Sequence, residues 1–96
     1  MKNYFTKSAI VPNQEEAMSC NQIMSTIDDL APSDANVNAV IHRLADGTFH
    51  TLIAIQATCG KFYAEAKNGN LLSSLRQAQN NMIHSLDTWK LSRFAH

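Results

Sequence analysis

The chain has 96 residues, of which 45% are hydrophobic, and eight Lys and Arg balance eight Asp and Glu for a formal charge of zero with histidines neutral. That length suits one domain over residues 1–96, with one hydrophobic core. The apolar share excludes a disordered chain. The absence of any run near ~18 apolar residues excludes a membrane helix. The opening residues, MKNYFTKSAIVPNQEE, lack the long apolar stretch of a secretory signal. Cys20 and Cys59 are therefore expected as reduced thiols of a cytoplasmic protein.

Asn3 to Val11 is β-prone through Tyr4, Phe5, Thr6, Ile10 and Val11, and Pro12 closes it as an expected first strand. Asn13 can cap a helix whose first turn holds Glu15 and Glu16, where the helix dipole favours acids. Ala17, Cys20, Ile23, Met24, Ile27 and Leu30 step by three and four, so this helix has one buried stripe, and Pro32 and Ser33 end it. The pair Asp28 and Asp29 sits at the helix end that the dipole disfavours, and the sequence offers no account of it.

Three further strands are expected. Val37 to Leu44 is apolar and β-branched, Asp46-Gly47 is a hairpin signal, and Phe49 to Ala57 alternates with a period of two. With Asp46 and Gly47 at the turn centre, Leu44 faces Phe49, His42 faces Thr51 and Arg43 faces His50, so His42 and His50 fall on opposite faces. A turn at Cys59-Gly60 leads to Lys61–Ala66, with Phe62, Ala64 and Ala66 on one face and Lys61, Tyr63 and Glu65 on the other. Asn70 can cap a closing helix whose stripe is Leu71, Leu72, Leu75, Ala78, Met82, Leu86 and Trp89. The whole is an α+β two-layer sandwich of order β-α-β-β-β-α, a four-stranded sheet with both helices on one face.

Little in this pattern carries chemistry. Cys20, Cys59, His42, His50, His84 and His96 show no metal-ligand spacing, so no metal or other cofactor is expected. Cys59 has no base that the sequence places beside it, and the three glycines form no phosphate loop; the reading is non-enzymatic. Lys61-Phe62-Tyr63 has the basic and aromatic character of base-stacking strands, although Phe62 is assigned to the core. The first helix has no Lys or Arg, whereas Arg43, Lys61, Lys67, Arg76, Lys90 and Arg93 make the second half mildly basic.

The stretch from Val37 to Lys90 resembles the ribosome hibernation-promoting factor family, also described as sigma-54 modulation or protein Y-like. The resemblance rests on the strand VNAVIHRL, the hairpin to FHTLIAIQA, and FYAEAKNGNLLSSLRQAQ leading into a long helix. Ala64-Glu65-Ala66 matches the family's short strand, Asn70 stands at its helix-opening acid, and Leu71 and Leu72 stand at the apolar and aromatic positions. The resemblance implies the same fold and binding in the channel of the small ribosomal subunit in non-growing cells, with modulation of translation. Where the family's last helix carries a basic run facing rRNA, this chain has Asn81, Met82, Ser85, Thr88 and Lys90, so one lysine survives. Two or three lost phosphate contacts weaken binding by ~10–100-fold at physiological salt. The expected rRNA contacts are Lys67, Arg76, Lys90 and Arg93. The alternative is a divergent member that has lost rRNA binding and acts as a protein-interaction or self-association module, for instance as a homodimer.

Overall fold

The computed structural model describes residues 4–10 and 12–94, and the side chains of these as far as residue 91. Its elements in chain order are α1 (Gln14–Leu30), β1 (Asn36–Arg43), β2 (Phe49–Ala57), β3 (Gly60–Asn68) and α2 (Leu71–Phe94). Asn13 caps α1 as its side chain suggests, accepting from the Glu16 amide at 2.9 Å. The helix closes on an Ala31-to-Ile27 backbone bond, after which Ala31 takes the extended conformation that Pro32 imposes on the residue before it. Asn70 caps α2 in the same way, its side chain accepting from the Ser73 amide at 3.1 Å.

The sheet departs from the expected four strands. Among the described residues it has three, in the order β1-β2-β3, all antiparallel. Asn3 and Val11, the ends of the expected first strand, lie outside the described residues. Between them, Tyr4 to Lys7 form a turn. The cause is that Tyr4 and Phe5 are both buried, at 6% and 5% exposure. Successive residues of a strand point to opposite faces, so a strand would send only one of the two to the helix-covered side, whereas both belong to the one core. Each aromatic removes ~150–250 Å² from water, several kcal/mol apiece, which outweighs a ladder hydrogen bond. The segment still lies along β1: the Tyr4 carbonyl accepts from the Ala39 amide at 2.8 Å, and Ser8 Oγ accepts from the Ile41 amide at 2.8 Å. Four residues here span two of β1, so the segment bulges from the edge instead of pairing with it.

The first hairpin is shifted by one residue from its expected register. Arg43 faces Phe49 and His42 faces His50, so the two histidines share a face. The loop holds three residues, not two. Leu44 and Thr48 close it through a 2.8 Å backbone bond, the Gly47 amide bonds the Leu44 carbonyl at 3.0 Å, and Gly47 has φ +86°. This is a type I turn followed by a left-handed glycine. Asp46 fixes it, because Oδ1 accepts from the Thr48 amide at 3.0 Å and from its hydroxyl at 2.6 Å. The second turn is Thr58-Cys59, with Gly60 already in β3 opposite Ala57.

Those Thr48 bonds, with Lys67 Nζ at 3.4 Å from the other oxygen, hold the Asp46 carboxyl at about 2, below the ordinary 3.8. A carboxyl depressed on folding stabilises the hairpin above 3.8, and the contribution disappears as pH falls through 3.8 towards 2. A carbon-detected NMR titration should place the Asp46 midpoint near 2, and Thr48→Val should raise it. A wild-type midpoint at 3.8 would show that the Thr48 bonds do not hold the charge.

Both helices cover one face of the sheet. Cys20, Ile23, Met24 and Ile27 of α1 and Leu71, Leu75, Ala78, Met82 and Leu86 of α2 join Val37, Ala39, Ile41, Ile53, Ile55, Ala64 and Ala66 in one core. Phe62 belongs to its margin, edge-to-face with Trp89 at 5.6 Å between centroids. The shortest dimension, 18 Å, accommodates one helical layer on one sheet. Among the described residues no helix is long and apolar enough to cross a membrane.

Candidate nucleic-acid interface

The four expected contacts do not converge. Lys67 is on β3 with the parity of Lys61, Tyr63 and Glu65, which puts it on the sheet face away from the helices, and it is exposed. Arg76 and Lys90 are on α2, in the other layer, ~21 Å apart along the helix. The side chain of Arg93 lies outside the described residues. Lys67 pairs with Asp46 at 3.4 Å, which offsets part of its charge.

The helical layer is electrostatically mixed. Between them α1 and its first turn carry Glu15, Glu16, Asp28 and Asp29 and no base. Arg76 lies close enough to α1 to lower the Cys20 thiol, but burial and Glu16 outweigh it and push that thiol up to about 11. Cys20 is thus an inert core residue. Asp28 gains a partner that the sequence did not show, accepting from the Tyr4 hydroxyl at 3.1 Å and so tying the N-terminal turn to α1.

Two other features complete the survey. A cleft of ≈ 510 Å³ is lined by Pro32, Ser33, Asp34, Thr58, Cys59 and Trp89. Cys59 is exposed there, but the other ionisable lining group, Asp34, already accepts from the amide and hydroxyl of Thr58, which lower its carboxyl. An acid held ionised in that way is a poor partner for activating a thiol. Among the described residues no three His, Cys, Asp or Glu are grouped to hold a metal ion.

The face that the sequence reading undervalued is the outer one. Register places its side chains in four transverse rows: His42, His50 and Lys67; Val40, Leu52 and Glu65; Asn38, Ala54 and Tyr63; Asn36, Gln56 and Lys61. His50 Nε2 lies 3.1 Å from Glu65 Oε2. A one-residue shift of the hairpin separates this arrangement from the expected one, and the signal for it was Thr48, whose amide and hydroxyl suit an Asp46 that precedes the glycine of a three-residue loop.

Comparison with solved structures returns this fold. The N-terminal domain of Protein Y from Thermus thermophilus aligns with a TM-score of 0.62 at 11% identity, covering 80% of this chain and 84% of that one. A ribosomal subunit interface protein from Coxiella burnetii aligns with a TM-score of 0.65 at 8% identity, covering 84% and 89%. The architecture is thus that of the family the sequence resembles. No family model matches the sequence, and no curated protein matches it.

Proposed function

We propose that this chain is a single-domain, non-catalytic, ribosome-associated factor that binds the small subunit and modulates translation in non-growing cells. The observation that carries the reading is the likeness, over more than four-fifths of their length, to the N-terminal domain of Protein Y and to a ribosomal subunit interface protein. It joins a resemblance read independently from Val37 to Lys90. Lys90 and Arg76 would meet rRNA phosphates from the helical layer, and Lys67 from the sheet. With few such contacts, binding is salt-sensitive and weaker than that of a basic relative.

The test is co-sedimentation with small subunits from stationary-phase cells. The protein should travel with them at low salt and be released as salt rises, and Lys90→Glu should reduce the bound fraction several-fold. Absence from the subunit fraction at low salt would remove the reading. One surface favours the alternative of self-association: an uncharged hollow of ≈ 550 Å³ along α1, lined by Tyr4, Gln14, Ala17, Met18, Asn21, Gln22 and Ser25, with Met18 74% exposed. A dimer on gel filtration combined with no affinity for subunits would select it.

A further inference from the structure

We infer that the open face of the sheet is a binding surface for a short segment of single-stranded RNA, with Tyr63 stacking a base and Lys61 and Lys67 holding phosphates on either side. The inference rests on the ribosome-associated reading and deepens it by moving the principal RNA contacts from α2 to the opposite layer.

Charge is the first argument. On the outer face Lys61 and Lys67 stand against Glu65 and against Asp46, which pairs with Lys67 at 3.4 Å, so the face is formally neutral, whereas α1 presents four acids and no Lys or Arg. His42 and His50 lie in one row with Lys67 and add positive charge when protonated. Lys61 is exposed and has no ion-pair partner among the described residues. A polyanion is therefore accepted by the sheet face, at Lys61 above all, and repelled from α1.

Shape is the second. Tyr63 is 54% exposed in the middle of β3, two residues from Lys61 and four from Lys67. Beside it lies a shallow depression of ≈ 280 Å³ lined by Leu52, Tyr63, Ala64 and Glu65. An exposed aromatic ring beside a shallow depression, flanked by cations on the same strand, is the arrangement on which unpaired bases stack while the backbone follows the charges. Lys61 and Lys67 are ~20 Å apart along the strand, a span that a few unstacked nucleotides cover. An acidic peptide would satisfy the lysines but leave the ring unused.

The edge of β3 is guarded as well. Asn81 donates its side-chain amide to the Glu65 carbonyl at 3.1 Å, which turns the Glu65 backbone to the free edge of β3 and blocks it there. With Lys61 and Lys67 on the same strand, this opposes the pairing of a further strand at that edge.

The test is fluorescence anisotropy with a short labelled single-stranded RNA of mixed sequence, on the full chain at low salt. Tyr63→Ala should weaken binding roughly 10–100-fold and Tyr63→Phe should restore it, since the ring and not the hydroxyl stacks. Lys61→Glu should weaken binding and reduce the salt slope by about one. Arg76→Glu, on the other layer, should change affinity by less than either. All three side chains are exposed, and thermal melts confirm that each of the four variants folds. RNA binding that is indifferent to Tyr63→Ala and abolished by Arg76→Glu would overturn the inference. So would no RNA binding by the wild type, or displacement of RNA by polyglutamate with Tyr63→Ala having no effect. Subunit co-sedimentation separates the two readings. If wild type and Tyr63→Ala sediment equally, the sheet-face inference fails and the ribosome reading stands; if the wild type does not sediment, the ribosome reading itself fails.

Discussion

Replacing Ile53 by alanine should lower the stability of this chain by about 4 kcal/mol, near the top of the range for such truncations. Ile53 is fully buried at the centre of the middle strand, and its partners across the sheet are Ala39 on one side and Ala64 on the other. In that row it is the one large side chain, so it alone fills the space between two small residues and the helices above. Neither alanine can swing into the void, which leaves the cavity close to its full size. Ile55 is buried equally but lies between Val37 and Phe62, whose larger side chains can relax inward. Ile55→Ala should therefore cost less, and Ile53→Val only about 1 kcal/mol. Since domains of this size have ~5–15 kcal/mol in total, the Ile53→Ala protein should melt roughly 15–30 °C lower. Urea unfolding of the three variants checks the order; a loss at Ile53 no greater than at Ile55 would contradict this account of the core.

How much of this was legible in the sequence depends on whether local signals agreed. Both helices were, because the apolar spacing and the capping residues Asn13 and Asn70 point to the same boundaries. The first strand was misread because β propensity and packing conflicted: Tyr4 and Phe5 favour a strand by type, but both pack into the one core, to which a strand would send only one of them. The hairpin register was misread because β2 is apolar on both faces. Thr51, Ile53 and Ile55 face the helices while Leu52 and Ala54 lie on the outer face, so the alternation that normally pins a register was blurred. That slip also hid the candidate site. Lys67, Arg76 and Lys90 could be picked out as cations, and the parity of β3 already sets Lys67 apart from the helical layer, but the alignment of Lys67 with His42 and His50 follows from the register and not from residue type. Asp29 remains an exposed acid at a helix end where the dipole disfavours it, and nothing in the structure explains it.

Ser74→Ala should destabilise the chain by about 2 kcal/mol, more than Thr51→Val, although Thr51 is the larger residue. The two hydroxyls are fully buried and 2.7 Å apart, joining the middle of the sheet to the first turns of α2. Ser74 Oγ donates its single hydrogen to the Leu71 carbonyl at 2.8 Å. In the Thr51–Ser74 bond the donor must therefore be Thr51. Removing the serine oxygen leaves the Thr51 hydroxyl with a buried hydrogen and no acceptor, a penalty of ~1–3 kcal/mol. Removing the threonine hydroxyl instead leaves Ser74 still bonded to Leu71 and puts a methyl of similar shape in the gap, for a loss of ~1 kcal/mol or less. The double variant, with neither hydroxyl, should be more stable than Ser74→Ala alone, because the orphaned donor is gone. The coupling read from the cycle should fall at ~0.5–3 kcal/mol, outside the additivity of independent sites. Urea melts of the two single variants and the double variant measure it directly. Additive single losses, or a Thr51→Val loss larger than that of Ser74→Ala, would show that the proton is not shared in this direction and that the helix is held to the sheet by packing alone.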